Sequence, residues 1–146
     1  LDRSIVELLI QQQNLTPSEI SRSLKASQSK VWRRIKSLKD SGVLNGKQVL
    51  IDIEKLGFGV TVFLGVKLAT KGRVSLIDFE KAVTSIPEVQ LVQHVLGLYD
   101  YRLRVVAKDI SDFERVLRRR IMTLPGIGDV EANVLLSEER RLGPIC

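Results

Sequence analysis

The chain of 146 residues is 44% hydrophobic and 27% charged, enough for one full domain or a small domain joined to a medium one, and too apolar for a disordered chain. No apolar run approaches the roughly 18 residues of a membrane span, and LDRSIVELLI carries charges where a signal peptide would be apolar, so a soluble, cytoplasmic protein without a membrane partner is expected. The formal net charge of +6 hints at an anionic partner, and the single Cys, Cys146, can make no internal disulfide.

From Leu1 to about Ser41 the pattern predicts three helices. In the first, Ile5, Leu8 and Leu9 recur at i, i+3 and i+4 behind Asp2, a candidate cap. The segment LTPSEI offers Thr16 as N-cap, Pro17 at the first helical position and Glu19 three residues after Thr16, a capping box that opens a short helix through Leu24. After LKAS, the Ser27 hydroxyl can cap a third helix from Gln28 to about Ser41, which Gly42 ends. Between Ile20 and Lys39 stand Arg22, Lys25, Lys30, Arg33, Arg34, Lys36 and Lys39 and no acidic residue. Two helices separated by a few residues, the second of them basic, make a helix-turn-helix.

The third helix has two faces. At 100° per residue, Val31, Ile35 and Leu38 share a stripe about 60° wide, while Ser29, Arg33 and Ser37 lie opposite, flanked by Lys30 and Arg34 on one side and Lys36 on the other. Such a face suits the major groove, with the first helical residues at base edges and later cations on phosphates. Gln28, Ser29, Lys30 and Arg33 are the base-reading candidates, Arg22, Lys25, Arg34, Lys36 and Lys47 are the phosphate candidates, and the cap Ser27 is counted with the DNA-binding residues. Trp32 sits at the edge of the apolar stripe, where a wedge between helices is favoured over a reader.

After Gly42 the period changes. Asn45-Gly46 within VLNGKQVLIDI suits a tight turn, so a β hairpin or linker is expected over residues 45–58, dividing a domain of residues 1–44 from one of 59–146. The remainder predicts β (Val60 to Leu68), α (Leu76 to Ser85), β (Val89 to Leu96), β (Tyr101 to Ala107), α (Ile110 to Leu124) and β (Val130 to Ser137). Ile86-Pro87 and Pro125-Gly126 end the helices, and Ser111 or Asp109 can start the second. The fold class is therefore α+β: a three-helix, winged helix-turn-helix, a β linker and a ferredoxin-like βαββαβ domain. Apolar side chains on both faces of VTVFLGVKL and of Leu91, Val92, Val95 and Leu96 argue for dimerisation sheet to sheet. The run Arg118-Arg119-Arg120 is expected to be a solvated helix face.

Taken together, ASQSKVWRRIKSLKDSGVL, the linker ending in IEKLGF, HVLGLYDYRLRVVAKD and LPGIGDVEANVLL make the chain similar to the Lrp/AsnC family of bacterial and archaeal transcription regulators. The family's third-helix pattern falls on Ser27, Val31 with Trp32, Arg34, Ile35, Leu38 and Gly42-Val43-Leu44. The resemblance implies a sequence-specific regulator that binds a double-stranded operator, dimerises through its C-terminal domain and assembles into tetramers or octamers. It also implies a small-molecule effector, an amino acid or a related metabolite, bound at the turn Gly97-Leu98-Tyr99-Asp100-Tyr101 between the second and third strands. Turn amides could hold an α-carboxylate, Asp100 an α-ammonium, and Tyr99 or Tyr101 could line a side-chain pocket; as plain structure, the same residues make a tight turn. The family often has Thr or Ser before the Gly, where this chain has Leu96.

No catalytic or metal constellation stands out and no cofactor is expected. His94 is the only His and lies in an apolar strand, where a packed or interface role is favoured. The enzymatic alternative is the siroheme decarboxylases, which resemble Lrp/AsnC proteins throughout but rely on several histidines around the tetrapyrrole, so no enzyme is expected.

Overall fold

The structure, a computed structural model, describes residues 1–46, 49–70 and 72–141. By contacts the chain forms two units, one of residues Leu1–Leu50 with the stretch from Glu139 onward and one of residues Ile51–Glu138.

The first unit holds helices α1 (Asp2–Gln11), α2 (Pro17–Leu24) and α3 (Gln28–Asp40). Thr16 caps α2 with the full capping box: its hydroxyl accepts from the Glu19 N–H at 3.3 Å, and its own N–H donates to Glu19 Oε2 at 2.7 Å. The Ser27 hydroxyl likewise accepts from the Lys30 N–H at 3.3 Å and starts α3. Gly42, at φ +82°, occupies the left-handed region that ends the helix at low cost. Asp2 is the first residue of α1 and not its cap; its carboxylate instead faces α3. Ile5, Ile20, Val31 and Leu38 are buried together, with Leu8, Leu9, Leu24, Ile35 and Leu44 partly buried around them.

The described residues of 45–58 contain no strand, only a one-turn 3-10 helix at Glu54–Leu56. The expected hairpin also runs through Lys47 and Gln48, which lie outside the described residues. Val49, Leu50 and Ile51, the apolar part of that segment, are 85%, 77% and 61% exposed. A two-stranded ribbon without a face to pack on is marginal in water.

The second unit is a four-stranded antiparallel sheet, β1 (Val60–Leu68), β2 (Val89–His94), β3 (Tyr101–Ala107) and β4 (Ile127–Val134), in the order β2-β3-β1-β4. Helices α4 (Arg73–Val83) and α5 (Ile110–Val116) complete the βαββαβ order. The helix expected over 110–124 changes pitch after Val116 and continues as a π-helix, Leu117–Ile121, with the Met122 N–H bonded to the Leu117 carbonyl at 2.8 Å. Asp109 is its cap, accepting from the Asp112 N–H at 2.7 Å. Strand alternation does what its period of two requires. Val62, Leu64, Val66 and Leu68 of β1 are buried with Leu103 and Val105 of β3 and with Phe79, Val83, Phe113 and Val116 of the helices. The opposite face carries Phe63 and Gly65 of β1 beside Arg104 and Arg102 of β3 and Asn133 and Glu131 of β4.

The Arg118–Arg120 run is largely neutralised. Arg118 pairs with Glu114 at 2.8 Å and Arg120 with Glu88 at 3.6 Å.

Candidate nucleic-acid interface and effector pocket

Val31 and Leu38 turn one side of α3 into the helical core, which leaves Gln28, Ser29, Lys30, Arg33, Lys36 and Ser37 exposed on the other. Ser27 is spent on its cap bond, so its hydroxyl faces the helix start and not away from it. The Lys30 backbone N–H goes to that cap, while its side chain stays exposed on the polar face.

Two of the expected phosphate cations have structural roles that the sequence did not disclose. Arg34 donates from Nε and Nη2 to the two carboxylate oxygens of Asp2, at 2.7 and 2.6 Å, a bidentate clamp between α3 and α1. This bond holds the Asp2 carboxyl below its usual pKa and raises that of Arg34. Lys25 closes α2 in the left-handed region at φ 53°, the one non-glycine residue with positive φ among the described residues. The turn then brings Ala26 back to bond the Ser21 carbonyl at 3.1 Å and to pack on the core. Arg22 is exposed at the end of α2. Lys47 lies outside the described residues.

Trp32 does not fill the role of a wedge. It is 55% exposed, and Lys36 Nζ lies 5.5 Å from the centre of its ring. At 100° from Val31 the indole clears the buried stripe, and Val31, Ile35 and Leu38 are the α3 side chains that pack into the seam.

In the second unit, the turn from Gly97 to Tyr101 borders a depression of about 360 Å³ on the open face of the sheet. Gly97, Leu98, Tyr99 and Tyr101 line it with Phe63, Gly65, Val95, Arg102, Glu131 and Asn133. The Tyr99 ring lies flat over Gly65: a Cβ there would stand 2.8 Å from Tyr99 Cδ2, so this crossing requires glycine. The Tyr99 hydroxyl donates to Glu131 in a short hydrogen bond that raises the phenol's pKa. Arg102 spreads its guanidinium over Phe63, 5.1 Å from the ring centre.

Asp100 does not line the depression, and Tyr101, which does, has its hydroxyl engaged elsewhere. One Asp100 oxygen accepts the Leu68 N–H at 2.8 Å, and the Asp100 N–H and carbonyl bond Val66 and Val95. Its carboxylate ties the turn to β1, and it is not among the lining residues, contrary to the expectation that it would face an ammonium group. Tyr101 is fully buried, packs on Phe79 and donates to Glu80 at 2.5 Å. Burial first, and then the Glu80 bond, push its phenol well above the usual range. His94 stacks on Tyr101 with ring centres 4.8 Å apart. Residues that sequence reasoning missed, Gly65, Arg102, Glu131 and Asn133, come from β1, β3 and β4; only the strand register brings them beside the turn.

Among the described residues no group of three His, Cys, Asp or Glu side chains comes together as a metal site, and no helix is long and apolar enough to cross a membrane.

A capped helix-turn-helix followed by an α+β sandwich with a pocket beside its sheet defines a class of two-part transcription regulators. Comparison with known proteins places the chain within that class. A family model of winged helix-turn-helix DNA-binding regions matches residues 1–45, and the Lrp/AsnC ligand binding domain matches residues 61–144. The DNA-binding transcriptional activator DecR of Escherichia coli K12 is 30% identical over 138 residues, covering 94% of this chain and 91% of that protein. The glutamate uptake regulatory protein of Zymomonas mobilis is 31% identical over 137 residues, covering 94% and 83%. The crystal structure of a transcriptional regulator from Neisseria meningitidis in complex with L-Met matches with a TM-score of 0.89 at 26% identity, covering 99% of this chain and 94% of that one. Escherichia coli AsnC shares the fold with a TM-score of 0.85 at 23% identity, over 96% and 93% of the two chains. The chain belongs to the Lrp/AsnC family and is a DNA-binding transcriptional regulator.

Proposed function

We propose that residues 1–44 read an operator through the exposed face of α3, that 45–58 link, and that 59–146 assemble copies of the chain and bind an amino acid. The observation that carries the DNA assignment is the division of α3 into a buried stripe and a face of Gln28, Ser29, Lys30 and Arg33, which has no acid on it. Lys30 and Arg33 meet base edges, with Gln28 and Ser29 beside them, while Arg22, Lys25 and Lys36 hold phosphates. Ser27 and Arg34 support this surface from behind, by capping α3 and by clamping it to α1.

The sheet's exposed apolar side chains support dimerisation, since Leu91 and Val95 are 41% and 37% exposed. Further assembly into tetramers or octamers would bring several operator half-sites onto one particle. The pocket's chemistry suits a zwitterion with an apolar side chain: Arg102 for the carboxylate, Glu131 for the ammonium, and Phe63, Val95 and Leu98 as walls. The L-Met held by the Neisseria regulator supports this class of effector. Binding there shifts assembly by favouring one packing of copies over another. The protein acts in the cytoplasm, where its DNA is, and not as an enzyme. A siroheme decarboxylase reading would rest on His94, whose ring is already stacked on Tyr101.

The test is a mobility shift with duplexes selected from a random-sequence library. Replacing Lys30 and Arg33 together by Ala is expected to weaken specific binding by about 2–6 kcal/mol, about 1–3 for each base contact, with circular dichroism unchanged. Unchanged affinity and selection would sink the assignment of α3.

A further inference from the structure

We propose that Trp32 is itself a base-reading residue, packing its indole against thymine C5-methyl groups in the major groove. The inference rests on the reading of α3 as the recognition helix and extends it to a residue outside the polar set. Three observations carry it.

First, the ring is not required for packing. Trp32 is 55% exposed, whereas Val31 is 0% and Leu38 is 7% exposed, and Trp32 is absent from both the buried core of the helical unit and the partly buried shell around it. Second, its direction is that of the reading face. One turn on, Lys36 lies over the ring at 5.5 Å, and on the helix surface Trp32 sits 40° from Lys36 and 60° from Ser29, at about 100° per residue. The ammonium over the ring favours this placement, and more than half of the residue stays exposed. Third, its chemistry is alone there. The neighbouring exposed positions Gln28, Ser29, Lys30, Arg33, Lys36 and Ser37 all carry polar or charged groups. The floor of the major groove is equally polar except at one place, the thymine methyl. An apolar ring on a polar helix thus has one apolar complement on the duplex, and its N–H can reach a neighbouring acceptor.

Trp32 is the only Trp in the chain, so its environment reports directly. The experiment takes the full chain and the duplex it enriches from a random-sequence library, then replaces each thymidine by deoxyuridine, which removes the methyl and leaves every hydrogen bond. The wild type is expected to lose about fourfold in affinity at one or more positions, the weight of one buried methyl or methylene group. Trp32→Ala should bind the thymidine and deoxyuridine duplexes equally, and Trp32→Phe should keep part of the difference. On adding the selected duplex, Trp32 emission should change, which tests the proposal without any variant. A deoxyuridine penalty that is absent from the wild type, or that persists undiminished in Trp32→Ala, overturns the proposal. So does Trp32 emission that the duplex leaves unaltered. A wild-type chain that enriches no sequence at all overturns the recognition-helix reading, and this proposal with it; that result is distinct from sequence selection without a methyl effect.

Discussion

The helical unit and the sheet unit carry their expected binding residues in opposite ways. On α3 the side chains proposed to read DNA stand clear of the small core of Ile5, Ile20, Val31 and Leu38 and contribute nothing to it. In the sheet unit three residues of the turn that borders the pocket are tied into the fold: Tyr101 is fully buried, Asp100 is bonded to β1, and Tyr99 lies on Gly65. The first surface can therefore change partner specificity by substitution with little effect on stability. The second cannot change without disturbing the sheet beneath it.

The largest effect that follows is at Gly65. A Cβ there collides with the Tyr99 ring, so Gly65→Ala is expected to cost about 1–3 kcal/mol through overpacking and to dislodge the Tyr99–Glu131 bond. Denaturant unfolding reads the stability. If the pocket takes an amino acid as proposed, calorimetric titration with L-methionine as the probe should show weaker binding than in the wild type, while DNA binding by the helical unit stays intact. An equally stable variant with unaltered titration would show that Tyr99 is not fixed as described.

A middle-sized effect is expected at Lys25, where the helical unit departs from the pattern of freely exchangeable surface residues. Its left-handed backbone costs a non-glycine residue about 1–2 kcal/mol, partly offset by the greater freedom that glycine has when unfolded. Lys25→Gly should therefore leave the fold equally stable or raise stability by up to about 1 kcal/mol. It should also flatten the salt dependence of DNA binding by about 0.9 in log–log slope, one phosphate contact. A lower melting temperature would mean that the Lys25 side chain itself packs on the fold and stabilises it.

The smallest effect belongs to the Asp2–Arg34 clamp, which is solvent-exposed and therefore weak. Because Arg34 depresses the Asp2 pKa, the clamp's contribution is present above the carboxyl's unfolded value and is lost as pH falls through the lower folded value. Asp2→Asn should therefore melt slightly below the wild type at neutral pH, and the two curves should converge in strong acid. Curves that stay parallel throughout the acid range would rule out titration of Asp2 as the cause.

Much of both surfaces is legible from residue order because it depends on local spacing. The Thr16–Glu19 box, the Ser27 cap, the Gly42 stop and the stripe of Val31, Ile35 and Leu38 are all set within one or two helical turns. β1 and β3 are found at their expected ends because period-two alternation is equally local. The helix expected to start at Leu76 begins at Arg73, and the last strand runs over Ile127–Val134 and not from Val130 to Ser137. No side chain caps the start of α4, where Gly72 takes the N-cap position, and β4 begins directly after Pro125-Gly126.

What residue order alone determined is therefore the order of elements, their βαββαβ pairing class, the cationic third helix and the turn of Gly97 to Tyr101. Tertiary structure alone decided which of those residues are free. Arg34 meets Asp2 across 32 positions, Asp100 meets Leu68 across 32, and Tyr99 meets Glu131 across 32. Partners that far apart leave no periodic trace, because strand register and helix packing set the distance between them. By the same rule Trp32, which looked like a wedge from its angle on one helix, became a bare indole once the neighbouring helices had filled the seam without it.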